Sequence, residues 1–310
     1  MSTIILDRTT TWSAIGKSVE ECKDLDCVLK TSGLDYTVSK IPVYKEDEDG
    51  YHSVPHRFLT QRDDGSKDYD IVSDRFTVIQ NRDAFDFVNY MGDELRFEKA
   101  GETYNGMVYI IGVLPQVSIL GDAFTPHVIF RNGFSGNVKI TAAICPLRFV
   151  CRNQFNFAFR NTRNAVTIRH MKNAEQKLAE ARDVLKMSAD YMARLNDMAK
   201  EYAGIKLSSG DLDRVLDQMF PMTNIGKMKP YQVQHLEEQR QNFRTAYFSD
   251  DNSNHLGTAW GLVNAYTDFI THEAPQRNTK TKEDSKFMTV TFAPGLMNAI
   301  LRGMSAVGIH

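Results

Sequence analysis

The 310-residue chain is 42% hydrophobic and 10% aromatic, enough for a sizeable core in one large domain or two smaller ones. Lys and Arg number 37 against 39 Asp and Glu, so a net charge of -2 singles out neither a polyanion binder nor an acidic-tailed protein. No apolar run reaches the roughly 18 residues of a membrane span, MSTIILDRTTTW lacks the basic-then-apolar pattern of a signal peptide, and four cysteines (Cys22, Cys27, Cys145, Cys151) do not make a disulfide scaffold at this length; a reduced, cytoplasmic protein without membrane partners is expected.

Residues 1–68 read as an irregular N-terminal segment, with a strand at DYTVSKIPVY (35–44) and polar loops at KEDEDG and QRDDGSKDYD. RFTVIQN (75–81) reads as a strand, and RDAFDFVNYMGDEL as a short amphipathic helix through Ala84, Phe85, Phe87, Val88 and Met91. Three β-rich runs follow, RFEKAGETYNGMVYIIGVL, PQVSILGDAFTPHVIFRN and NVKITAAICPLRFVCRNQFNF, the last two joined by a turn at NGFSGN (132–137). Leu178, Ala181, Leu185, Met192, Leu195, Ala199 and Tyr202 recur at helical spacing, which predicts a long amphipathic helix from near Asn173 to a C-cap at Gly204. Beyond it lie helices near 211–220, 231–247 and 257–272, a polar loop at 274–286, a strand at FMTVTF and a last helix opened by Pro294. The expected fold class is α+β: a β-α-β-β-β-α core over 69–205 with an antiparallel meander, then a mostly helical region over 206–310.

Charge is distributed unevenly along this order. Residues 1–122 hold 22 carboxylates and 13 Lys and Arg, whereas residues 123–174 hold eight Lys and Arg and no carboxylate; residues 175–310 are near balance, with 17 acids and 16 bases. Clustered like charge repels itself, so a run of this kind points to a partner of opposite sign. In the strand ITAAICPLRFVCRNQFNFAF, the odd positions Cys145, Leu147, Phe149, Cys151, Phe155, Phe157 and Phe159 form an apolar face. The even positions Arg148, Arg152, Gln154, Asn156 and Arg160, continued by Arg163, Arg169 and Lys172, form a basic and amide-rich one. These eight residues are the candidate nucleic-acid contacts: cations neutralise phosphates, amides bond phosphates or base edges, and aromatics stack on unpaired bases. The competing reading pairs the arginines with the acidic first 122 residues or with a second subunit. The thiols of Cys145 and Cys151 fall on the apolar face and read as core residues, with a metal or redox role as the alternative. Pro146 cannot donate to a central ladder and indicates an edge or a bulge.

Catalytic motifs are sparse. Neither GxxxxGK[ST] nor GxGxxG follows a strand, so no cofactor is expected. Gly133-Phe134-Ser135-Gly136 lies in a turn rather than a nucleophile elbow. His235, Glu237 and Glu238 lack HExxH spacing. His255 and His272 read as capping or surface residues, and Asp63, Asp64, Asp68 and Asp70 as a solvated loop.

YDIVSDRFTVIQNRDAFDFV, FEKAGETYNGMVYIIGVL, CPLRFVCRNQFNFAF followed by IRH, and GTAWGLVNAYTDFITH together resemble the phage- and plasmid-encoded proteins grouped as domain of unknown function 932. The resemblance spans roughly residues 10 to 305 and implies a mobile-element protein in a bacterial cytoplasm, without fixing an activity. A more distant, fold-level resemblance joins the strand, short helix, meander and long helix to single-strand annealing proteins of the Redβ and RecT types. That implies an ATP-independent ring or filament holding single-stranded DNA in a basic groove. Three expectations stand side by side: a single-stranded DNA-binding and annealing protein, a phage structural or host-interaction protein whose arginines serve subunit contacts, and a metal-dependent nuclease.

Overall fold

Near-continuous apolar runs between Arg96 and Arg148 build the sheet that organises the molecule. The computed structural model describes residues 12, 14–148, 164–168, 174–208, 210–223, 225–273, 282–292, 295–305 and 308–309. The strands are β1 (Lys17–Ser18), β2 (Val38–Asp47), β3 (Gly50–Arg62), β4 (Asp68–Ser73), β5 (Arg96–Glu102), β6 (Met107–Val113), β7 (Val117–Ile119), β8 (Asp122–Gly133), β9 (Thr141–Arg148) and β10 (Ala165–Thr167). The helices are α1 (Leu25–Ser32), α2 (Asn81–Phe85), α3 (Ala174–Gly204), α4 (Asp211–Met219), α5 (Pro230–Tyr247), α6 (Ala259–Asp268), α7 (Lys282–Phe292) and α8 (Gly295–Ser305). The fold is α+β, with antiparallel sheets followed by a helical region.

The large sheet runs β1-β5-β6-β8-β9-β10, with β7 hairpinned onto the start of β8; the small one runs β2-β3-β4. Val108, Ile110, Val128, Phe130, Ala142 and Ile144 face one way, into a core shared with Ala181, Val184, Tyr191 and Leu195 of α3. The intervening residues Tyr109, Ile111, Ile129 and Cys145 face the other way and are sealed by Trp12, Ile15 and Phe287. Both faces of the meander are therefore buried, including β9, where the parity reading set an apolar face against a basic and amide-rich one. On β9 every residue from Thr141 to Arg148 is buried.

Other expectations are also revised. Residues 12–67, read as irregular apart from a strand at 35–44, hold β1, α1 and β3 as well as β2, which overlaps that strand. The strand expected at 75–81 lies earlier, at β4, and the peptide groups that follow it serve side chains instead: Lys40 Nζ donates to the carbonyls of Asp74 and Phe76 at 2.9 and 2.8 Å. Gln80 brackets Val38, accepting from its N–H at 3.0 Å and donating to its carbonyl at 2.9 Å. FMTVTF is not a strand but the second half of α7. Burying Phe287 and Val290, three apart on one helix face, overrides β propensity there. Cys22 and Cys27, expected as reduced thiols, are joined by a disulfide beside the N-terminus of α1.

Two close approaches explain short sequence blocks. Gly16 has φ 68, and a Cβ there would lie 2.5 Å from Tyr109 Oη and 2.7 Å from the Ala100 carbonyl oxygen, so only glycine lets β1 pack onto β5. In GTAWG, the Thr258 hydroxyl caps α6 by accepting from Gly261 N–H at 3.1 Å, while a Cβ on Gly261 would lie 2.3 Å from the His255 carbonyl oxygen. The segment Asp250–His255 is thus clamped against the first turn of α6. Asn252 adds donor bonds to the carbonyls of Tyr247 and Gly261 at 2.8 and 3.1 Å. Among the described residues no helix is long and apolar enough to cross a membrane.

Candidate functional site

The basic stretch leaves the sheet at the C-terminal end of β9, and the local pairing sets what happens there. Leu120 and Gly121, with φ 51 and 86, close a two-residue turn between β7 and β8. Asp122 therefore opens β8. Phe124 pairs with Arg148, which places Asp122 diagonally across the strand pair from Arg148 and on the same face. Arg148 Nε and Nη2 donate to Asp122 Oδ2 at 2.9 and 2.7 Å, and Nη2 also donates to the Asp251 carbonyl at 3.0 Å. His255 Nε2 stands 3.0 Å from the same carboxylate oxygen.

Arg148 is 2% exposed, so this is a buried cluster that ties the end of the sheet to the helical region. Burial pushes the Asp122 carboxyl up. The hydrogen bond with His255 and the charge and hydrogen bonds of Arg148 outweigh it and hold the group below its usual value. Arg148, one of the candidate nucleic-acid contacts, is an internal ion-pair partner of the acidic N-terminal part, as the competing reading has it at this position. Asp122 was singled out by no sequence motif, and His255, read as a capping or surface residue, is instead buried in this cluster. The available signal was position: Asp122 is the last carboxylate before the run that has none.

Of the other candidate contacts, Arg152, Gln154, Asn156, Arg160, Arg163, Arg169 and Lys172 lie outside the described residues, as does Cys151. Cys145 is fully buried on the sheet face sealed by Trp12, Ile15 and Phe287. The chain re-enters at β10, which pairs with Thr141–Ala143, and Ile144 N–H donates to the Asn164 carbonyl at 2.7 Å. Backbone donors alternate sides along a strand, so the nitrogen of Pro146 faces the same side as that of Ile144, beyond the last residue that β10 pairs. Pro126 sits opposite Pro146, where neither nitrogen is needed for the β8–β9 ladder. Beside β10, Lys139, Asn132, Gly133, Thr167 and Ile168 help to line a cavity of about 310 Å³. Arg131 is half-buried on β8, and desolvation lowers its pKa.

The opposite sheet face holds a second buried polar group. Glu98 accepts from Trp12 Nε1 at 3.2 Å through one oxygen and pairs with His127 Nε2 at 3.0 Å through the other, while the Trp12 and His127 rings meet tilted at 45°, 5.1 Å between centroids. Among the described residues no group of three or more His, Cys, Asp or Glu is arranged to hold a metal ion.

These elements define an α+β protein whose carboxylate-free segment is rooted in a buried Asp122–Arg148–His255 cluster. The family model described as domain of unknown function (DUF932) matches residues 68–290, and the chain belongs to that family. No curated protein and no solved structure matches the chain.

Proposed function

We propose that this protein binds single-stranded DNA and promotes annealing without ATP, as a phage-type recombination protein that assembles from several copies in the bacterial cytoplasm. The observation that carries the reading is the run of 52 residues, 123–174, with eight Lys and Arg and no carboxylate. One of the eight, Arg148, spends its charge inside the fold, so the reading rests on those that follow it: Arg152, Arg160, Arg163, Arg169 and Lys172, with Gln154 and Asn156 among them. Contact is to the sugar-phosphate backbone and carries little base preference.

The test is a salt titration of fluorescent oligonucleotide binding for the parent and for Arg152→Ala/Arg160→Ala. Each phosphate neutralised contributes about -0.7 to the slope of log K against log salt for single strands. Loss of two contacts flattens the slope by roughly one to one and a half units, similarly across base compositions. An unchanged slope with a lowered melting temperature or a broken assembly would end the nucleic-acid reading. It would favour the second one, an interaction protein whose arginines pair within or between subunits, which the Arg148–Asp122 pair already illustrates at one position.

A further inference from the structure

β2 and β3 stay paired for longer than β4 covers them. β4 pairs with Arg57–Gln61 of β3, whereas β2 and β3 continue as a two-stranded ribbon from Tyr44↔Ser53 to Asp47↔Gly50. The register shifts between Pro42 and Tyr44, and His56 on the facing strand has φ 58, so the ribbon changes course where it leaves the three-stranded body. From Tyr44 to Ser53 every residue except Gly50 is exposed. A lone hairpin is marginally stable in water, so a ribbon of this kind gains from being covered.

The two faces of the ribbon differ. Lys45, Asp47 and His52 share one face, where Asp47 pairs with Lys45 at 3.3 Å and with His52 at 3.2 Å. The other face carries Tyr44 and Tyr51, 59% and 73% exposed and diagonal to one another, together with Glu46. Glu48 and Asp49 follow at the turn, and no ion pair to Glu46, Glu48 or Asp49 exists among the described residues. Lys40, Pro42 and Lys45 on β2 discourage pairing along its outer edge, so contact is through the tyrosine face rather than by strand addition. Tyrosines with an acidic border suit a basic protein surface and oppose a phosphate backbone.

We infer that this ribbon is an arm by which one copy of the chain docks onto a second copy. The complementary charge is in the chain itself: residues 44–53 carry four carboxylates and one lysine, against seven Lys and Arg in the carboxylate-free run once Arg148, paired inside the fold, is set aside. Because the arm and the basic run that receives it are different parts of the chain, the contact is heterologous and propagates into a ring or an open filament. The inference deepens the assembly part of the proposed function and does not depend on DNA binding.

Mass photometry of the full chain, at about 50 and about 500 mM salt, tests it without nucleic acid. The parent is expected to assemble, less so in high salt. Tyr44→Ser/Tyr51→Ser and Glu46→Lys/Glu48→Lys should each raise the concentration needed for half-assembly by about tenfold or more. Should either variant melt early, a full chain in which residues 44–53 are replaced by an Asn-Gly turn serves instead, because that ribbon lies outside both cores. A parent that stays monomeric, or arm variants that assemble like the parent, overturns the inference. Arm variants that assemble normally but lose affinity for an oligothymidine would make the arm a DNA contact, and overturn it too. Monomeric arm variants that still bind oligothymidine support it, and a failure of DNA binding with assembly intact in the parent leaves it standing while sinking the annealing function.

Discussion

Arg148 shows how one guanidinium can serve the fold rather than a ligand. Asp122, His255 and the Asp251 carbonyl surround it, and removing it leaves a carboxylate with one polar partner fewer in a poorly solvated place. Arg148→Ala should cost about 3–5 kcal/mol in urea unfolding. Its effect on oligonucleotide affinity, measured where the variant remains folded, should be small; preserved stability with lost affinity would contradict the internal role. Asp122 adds a pH signature. Its folded pKa is depressed below 3.8, so its stabilisation is complete above the unfolded value and is lost as pH falls through the folded one. The stability gap between the parent and Asp122→Asn should therefore be constant at neutral pH and shrink below about pH 4. Little of this cluster was legible in advance. The parity of β9 correctly separated Cys145 from Arg148, but alternation says only that the faces differ, not that helices cover the polar one. The diagonal relation between Asp122 and Arg148 depends on the β8–β9 register, and His255 arrives from more than a hundred residues away.

At the level of elements, the long helix was the clearest feature of the sequence, and α3 matches it closely. Its apolar stripe is occupied within the chain: Ala181, Val184, Tyr191, Leu195 and Ala199 are all buried in the main core. The stripe is therefore not free to build an oligomer. Leu195→Ala should lower stability by about 2–5 kcal/mol through the cavity it leaves, with the same distribution of assembled species at temperatures where the variant stays folded. The helix expected near 257–272 is present as α6, opened by Thr258 as its N-cap. The role of Gly261 was not legible, since the His255 carbonyl that approaches it belongs to a separate turn. Gly261→Ala should cost about 1–3 kcal/mol as an overpacking change, read as a lowered urea midpoint. The expected strand at FMTVTF failed for a general reason: six residues of β propensity do not outweigh a helix face that buries Phe287 against Tyr109 at 4.9 Å.

For the whole molecule, the family match and the folded unit have different limits. The match begins at residue 68, yet β1 pairs with β5, α1 packs Val28 and Leu29 into the main core, and Trp12, fully buried, closes the opposite face over His127. At the other end the match stops at residue 290, whereas Ile300 and Met304 of α8 lie buried in the main core. A fragment of residues 68–290 would keep Phe287 but lose Trp12 and Ile15 from the face that holds Tyr109, Ile111, Ile129 and Cys145, and would lose part of the packing on the other face. It would also separate β4 from β2 and β3, leaving Tyr69 without the Tyr36 hydroxyl to which it donates at 3.1 Å. Large exposed apolar faces of this kind drive association and expansion rather than a unique packed state. The fragment should therefore show no cooperative thermal transition and should bind a hydrophobic dye strongly, while the full chain melts cooperatively and binds little. A fragment that melts in a single sharp step near the midpoint of the full chain would show that the matched region is a self-sufficient domain. The N-terminal elements would then be attachments to it, and the buried Trp12–Glu98–His127 group would carry little of the stability that its position implies.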